Sequence, residues 1–133
     1  MTLREHRTKK YICREIDITV SRFEWFERNS RTFRGCPLPA ISKKRGFKII
    51  FDKKQADDFI AGVNKFTREH MNIKETAEYL DVSTYAMERS KKTGLVLHVP
   101  IELPVLVDGR LWWKRASVEL CKERIHDVGR EFA

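Results

Sequence analysis

The chain carries one order of predicted elements twice, and this repeat limits the folds that its 133 residues can adopt. In the second half, small and apolar side chains recur at i, i+3, i+4 and i+7, which is typical of one helix face. The residues of that face are Ile73, Thr76, Ala77 and Leu80. Asn72 precedes them as a candidate N-cap, with Glu75 as its capping-box partner three residues later.

The rest of the second half predicts a second helix, a hairpin and a third helix. After a short turn, Ser83 caps the second helix, which ends at Thr93-Gly94. The segment PVLVDGRLWW predicts two short strands around Asp108-Gly109, because that dipeptide is a strong signal for a tight hairpin. Ser117 caps the third helix.

The first half predicts the same elements in the same order. Its first helix is indicated by Tyr11, Ile12 and Ile16. In the segment ITVSRFEWFER, Ser21 is the predicted cap of the second helix, and its apolar residues are Phe23, Trp25 and Phe26. A strand, a basic loop and a strand follow in PAISKKRGFKIIF, and a last helix runs from about residue 53 to 63.

Three matches relate the two halves to each other. They are Val20-Ser21 with Val82-Ser83, Glu27-Arg28 with Glu88-Arg89, and Gly46 with Gly109. Helix, turn, helix, hairpin and helix form a small winged helix, so we expect an α+β, mostly helical fold of two tandem winged-helix domains. The predicted boundaries are a basic N-terminal arm at 1–10, domain 1 at 11–63, a linker at 64–71, domain 2 at 72–126 and a C-terminal tail at 127–133. The linker lacks Gly and Pro, so we expect it to extend a helix.

Charge is distributed unevenly between the halves. Residues 1–65 hold 16 Lys and Arg against 8 Asp and Glu, while residues 66–133 hold 11 of each kind. A basic balance favours phosphate-rich partners. No apolar run reaches the roughly 18 residues of a membrane span, and no N-terminal stretch has the character of a secretion signal. Three widely spaced cysteines predict no disulfide framework, so we expect a cytoplasmic protein.

A family resemblance is carried by the segment ETAEYLDVS and by the hairpin and capped helix that follow it. Both halves resemble the winged helix-turn-helix of the excisionase and MerR type, including the AlpA-like phage regulators. The resemblance covers about residues 10–63 and 71–126. Where that group has a glycine in the turn, this chain has Asp81. Because Asp tolerates left-handed backbone better than most residues, we expect the turn to be preserved.

The resemblance implies that the second helix of each half lies in the major groove of DNA. Its N-terminal residues would then contact base edges. Arg22 and Arg89 are the strongest candidates for guanine, because a guanidinium group matches two acceptors on one base edge. The predicted contact residues on the helices are Ser21, Arg22, Arg28 and Arg31, and Ser83, Thr84, Tyr85, Arg89 and Lys92. The alternative is that they form ordinary solvated helix faces.

The hairpins and the arm supply further candidate contacts. Lys43, Lys44 and Arg45 are three consecutive cations at a predicted hairpin tip, and with Lys48 they predict phosphate contact. The second hairpin offers Arg110. The basic arm either lies along a groove or is a disordered tail. Trp112 and Trp113 face opposite sides of one strand, so one is expected in the core, and the other beside the hairpin or packed between the copies.

Catalytic and metal-binding patterns are missing from the sequence. The four histidines are scattered, and neither a metal-ligand spacing, a phosphate loop nor a nucleophile elbow occurs. We therefore expect no enzyme, no cofactor and no metal.

The expected function is sequence-specific binding of double-stranded DNA by a protein of a mobile element. The resemblance implies an excisionase, which directs recombination, or a regulator of transcription. It also implies a recombinase, replication or transcription protein as partner and cooperative self-association on DNA. Two alternatives stay open: a plasmid or phage replication or packaging protein, or one domain on DNA and the other on a protein.

Overall fold

The computed structural model of the chain describes residues 6–45 and 48–131, and for residues 42–45, 48, 130 and 131 it describes the backbone alone. The chain divides into two compact units, unit 1 (Met1–Phe66) and unit 2 (Thr67–Ala133). In the described part, six helices and small antiparallel sheets form an α+β fold. The α+β, mostly helical fold expected from the sequence is thereby confirmed.

Unit 1 begins with a strand, two helices and a short hairpin, and continues with a longer hairpin and a long helix. Its elements are β1 (His6–Thr8), α1 (Lys9–Glu15), α2 (Val20–Arg28), β2 (Thr32–Phe33), β3 (Cys36–Pro37), β4 (Ile41–Arg45), β5 (Lys48–Asp52) and α3 (Lys53–Glu69). The last turn of α3 extends past the boundary of the unit.

Unit 2 has the same elements in the same order. They are β6 (His70–Asn72), α4 (Ile73–Leu80), α5 (Thr84–Thr93), β7 (Leu95–Val96), β8 (Val99–Pro100), β9 (Val105–Val107), β10 (Arg110–Lys114) and α6 (Arg115–Glu131). The strand order is also the same, β1-β5-β4 in unit 1 and β6-β10-β9 in unit 2. The internal repeat inferred from the sequence is thus present in the order of elements and in the sheets.

The first strand of each unit lies where the sequence suggested no strand. Residues 6–8 were assigned to an arm and residues 70–72 to a linker and a cap, yet both segments pair with a hairpin strand and complete a three-stranded sheet. These strands have only three residues, too few to show a period of two. Residues 64–69 belong to α3, and α6 continues through residues 127–131, which were assigned to a tail.

Each unit has a core of its own. In unit 1 it is rich in phenylalanine, and the ring of Phe23 meets the rings of Phe51 and Phe59 edge-on, with centroids 6.0 and 6.2 Å apart. In unit 2, Trp113 occupies the place on β10 that Phe51 occupies on β5. Trp112 is buried as well, so the expectation that one of these two tryptophans could be exposed beside the hairpin is wrong.

The turns between the first two helices have the backbone that the sequence predicted for Asp81. Asp81 is left-handed, with φ 55°, and Asp17 of unit 1 has φ 57°. The next residue's N–H donates to the first helix in both units, from Ile18 to the Cys13 carbonyl at 3.0 Å and from Val82 to the Ala77 carbonyl at 2.9 Å. Aspartate therefore performs the role of glycine in both turns.

Replacing Asp81 with valine is expected to lower the free energy of unfolding by about 1–2 kcal/mol, because a β-branched residue resists left-handed backbone. Asp81→Gly should be neutral or mildly stabilising. Asp127 is exposed on α6, where valine should cost about 0.5 kcal/mol or less, so Asp127→Val is the matched control. Chemical unfolding of the three variants measures the difference, and equal losses at positions 81 and 127 would contradict the left-handed turn.

Candidate nucleic-acid interface

The second helix of each unit is placed by a capped turn. In unit 2 the Ser83 hydroxyl accepts a hydrogen bond from the Ala86 N–H at 3.1 Å, which confirms Ser83 as the cap of α5. In unit 1 the cap of α2 is Thr19, whose hydroxyl accepts from the Arg22 N–H at 3.2 Å. The assignment of Ser21 as the cap was wrong, because Thr19 can cap equally well and stands in the first position where the turn allows it.

This cap changes the register in which the units correspond. Asp17 matches Asp81, Thr19 matches Ser83, and Phe23 matches Met87, each 64 positions apart. The sequence pairing of Glu27-Arg28 with Glu88-Arg89 is therefore wrong. In the structural register, Arg28 corresponds to Lys92 and Trp25 corresponds to Arg89.

One row of exposed side chains runs along the second helix of each unit at i, i+4 and i+7. We call these rows the outward stripes. They consist of Ser21, Trp25 and Arg28 on α2, and of Tyr85, Arg89 and Lys92 on α5. All six residues are exposed, including Trp25 at 51% and Tyr85 at 66%. The opposite faces of the helices hold the buried Phe23 and Phe26 in unit 1, and Met87 and Ser90 in unit 2.

Trp25 is the residue of this surface that sequence reasoning missed. The sequence predicts it only as an apolar residue of the second helix, beside Phe23 and Phe26, and not among the contact residues. Its spacing from Ser21 and Arg28 is the signal that could have placed it outside, since i, i+4 and i+7 share one helix face.

Other predicted contact residues lie beside the stripes. Arg22 is exposed, and its guanidinium lies over the rings of Phe26 and Phe33, 5.9 and 5.7 Å from their centroids. Arg31 follows the end of α2 and has left-handed backbone, with φ 59°. Thr84 is exposed on the first turn of α5, and Arg110 is exposed at the start of β10. These four lie outside the outward stripes.

Cations of the expected N-terminal arm take part in unit 1 itself. The Arg7 Nε lies 3.2 Å from Asp57 Oδ1, and the Lys9 Nζ lies 2.9 Å from Glu27 Oε1. The Arg7 guanidinium also lies over the Tyr11 ring, 4.8 Å from its centroid. Arg7 and Lys9 thus join the strand and first helix to the rest of the unit, while Arg4 lies outside the described residues.

The two hairpins differ in character. In unit 1 the strand bounds place Lys44, Arg45 and Lys48 next to the hairpin turn, with Lys43 one position further along β4. The side chains of these four predicted phosphate contacts lie outside the described residues. In unit 2 the hairpin exposes apolar side chains beside Asp108 and Arg110. They are Leu103, Val105 and Leu106, and Leu106 is 70% exposed.

Among the described residues, pKa shifts fall on two buried cysteines, Cys13 and Cys121, and on the exposed Glu102. In residues 6–45 and 48–131, no three His, Cys, Asp or Glu side chains are placed to hold a metal ion. Burial raises the pKa of the Cys13 thiol to about 11 and also raises the pKa of Cys121, which makes both thiolates scarce. The Ser117 hydroxyl and the Lys114 ammonium lower the pKa of the exposed Glu102 by donating to its carboxylate.

Ser117 lies inside α6 rather than at its cap, as α6 begins at Arg115.

Comparison with protein-family models, with curated proteins and with solved structures gives no match for this chain. Among the helices that the structure describes, none combines the length and apolar character needed to cross a membrane.

Proposed function

We propose that this chain binds double-stranded DNA in a sequence-specific manner, and that α2 and α5 are the recognition helices of two winged-helix units. The biological role that fits best is that of an excisionase or of a transcriptional regulator of a mobile element. Such a protein would act in the cytoplasm, where it would associate with the nucleoid. The units would bind through helices in the major groove and through a basic hairpin on the DNA backbone.

What supports this function is the pair of outward stripes. Each stripe stands on the helix that follows a short turn with one left-handed aspartate, four residues long in unit 1 and three in unit 2, which is the recognition-helix position of a helix-turn-helix. Each outward stripe combines one aromatic side chain with at least one cation, and all of these side chains are exposed. Among the described residues, no carboxylate oxygen lies within 4.0 Å of the Arg89 guanidinium, so that group is available to a ligand.

The charge of unit 1 gives a second line of support. Residues 1–66 hold 16 Lys and Arg against 8 Asp and Glu, so this unit carries the whole net charge of +8. Excess cations of this kind provide the part of DNA affinity that depends on salt and not on sequence. Unit 1 would therefore supply most of the phosphate contacts.

A protein partner for unit 2 is the second candidate function, and one observation favours it. Unit 2 has 11 basic and 11 acidic residues, and its hairpin exposes Leu106 where unit 1 has cations. These apolar side chains gain nothing from phosphate, whereas an apolar protein surface can cover them. In this case only unit 1 would hold DNA.

Replacing Lys43, Lys44 and Arg45 with alanine should flatten the salt dependence of DNA binding. The logarithm of affinity falls by about 0.9 per phosphate neutralised for each unit of log salt, so three lost contacts should reduce the slope by roughly 2–3. Affinity should fall alike on a selected duplex and on a scrambled one. The control replaces Lys53, Lys54 and Lys65 with alanine. These residues lie on α3, which begins after the last residue of β5, at the end of the strand away from the hairpin turn. An unchanged slope in the first variant would remove this hairpin from the interface.

Arg89→Ala separates the two candidate roles of unit 2. If α5 reads bases, the variant should lose about 1–3 kcal/mol on a duplex selected by the wild-type chain, and much less on a scrambled duplex. Binding curves at one fixed salt concentration measure both values, with Arg124→Ala, exposed on α6, as the control.

Two outcomes of the Arg89 experiment would contradict base reading by α5. Equal losses on both duplexes would mean that Arg89 contacts phosphate alone. No loss on either duplex would favour the protein-binding role, in which case Leu106 is the residue to replace next.

A further inference from the structure

Trp25 is a large apolar side chain held in a fixed place on the outside of unit 1. Its ring meets Phe26 edge-on, with centroids 5.1 Å apart and an interplanar angle of 84°. Its carbonyl accepts from the Asn29 amide Nδ2 at 2.7 Å, at the end of α2. Half of the side chain is nevertheless exposed. A tryptophan in this position leaves apolar surface in water unless a ligand covers it.

The surroundings of Trp25 are cationic. Arg22 and Arg28 are both exposed on the same helix, one turn before and one turn after it. The two carboxylates of α2 are half-buried, and that of Glu27 is paired with Lys9. An apolar ring between two exposed guanidinium groups, in a unit of net charge +8, suits a polyanion that presents apolar groups between its phosphates.

The equivalent position of unit 2 carries a different chemistry. Arg89 stands where Trp25 stands, and the aromatic residue of α5, Tyr85, stands one turn earlier, opposite Ser21. Read from the start of each helix, the stripes are Ser-Trp-Arg and Tyr-Arg-Lys. Two units with the same fold but different side chains on their outward stripes would recognise different base pairs.

We infer that Trp25 contacts the 5-methyl group of a thymine in the major groove, so that the two units read different base sequences. This inference rests on the proposed function. Thymine is the base that presents an apolar group in the major groove, whereas guanine presents the two acceptors that suit an arginine at position 89. The single N–H of tryptophan can donate to an acceptor of any base pair, so it is the apolar face of the ring, matched by the methyl group, that distinguishes thymine.

The test uses a duplex selected by the wild-type chain from a pool with a randomised central segment. Each thymine of this duplex is replaced in turn by uracil, which removes the methyl group and nothing else. For the wild-type chain, uracil at one position should weaken binding about fourfold, which is the effect of losing one buried methyl group. Trp25→Ala should abolish the difference between thymine and uracil at that position, while Arg89→Ala should preserve it.

A measurement on the wild-type chain does not depend on the folding of a variant. Trp112 and Trp113 are buried, so Trp25 is the one tryptophan of the chain that acrylamide can reach in the free protein. The selected duplex should protect its fluorescence from quenching. Far-UV circular dichroism checks that Trp25→Ala is folded, and Trp25→Phe, which keeps an apolar ring, should retain part of the thymine preference.

The outcomes distinguish this inference from the proposed function. If selection yields no preferred sequence, the proposed function itself fails, and the role of Trp25 fails with it. If a sequence is selected but Trp25 remains open to acrylamide in the complex, or if Trp25→Ala keeps the full loss on uracil, the chain binds DNA and the assignment of Trp25 is overturned.

Discussion

In both units the chain leaves its first helix through an aspartate with left-handed backbone, and the orientation of the second helix follows from that turn. Asp17 and Asp81 have φ values of 57° and 55°, and a hydroxyl two residues later caps the next helix. Turn and cap together decide which residue starts the helix. They therefore decide which side chains face the core and which form the outward stripe. A shift of one residue would turn each helix by about 100° and change both faces.

The two units share a scaffold but fill it with different residues. Unit 1 packs phenylalanine rings around Phe23, while unit 2 uses Met87 and Trp113 at the corresponding places. Cores tolerate such exchange as long as their volume and pattern are kept. The exposed surfaces are free of that constraint, and there the units differ most: unit 1 is strongly basic, while unit 2 is neutral and exposes Val105 and Leu106 on its hairpin. Under the proposed function, the repeated fold would present two different recognition surfaces.

The sequence predicted those features whose signals are local. The capping box of Asn72 and Glu75, the Ser83 cap and the Asp108-Gly109 turn all appear as expected, since each depends on a few adjacent residues. Strands β1 and β6 were missed, because three-residue strands are fixed by pairing with distant partners. The Thr19 cap was missed because three candidate caps stand within a few residues. Trp25 was therefore not recognised as an exposed residue, and the pairing of Arg7 and Lys9 with carboxylates across the unit had no local signal.

If both units bind DNA through their second helices, the backbone amides of α2 and α5 should respond to the duplex. A ¹⁵N-labelled chain is titrated with duplex DNA while the amide resonances are followed by NMR. We expect the largest changes on residues 19–28 and 83–93, together with the hairpin of unit 1. Changes confined to α3 and α6, or no changes at all at duplex concentrations that saturate comparable DNA-binding proteins, would show that the second helices do not bind DNA.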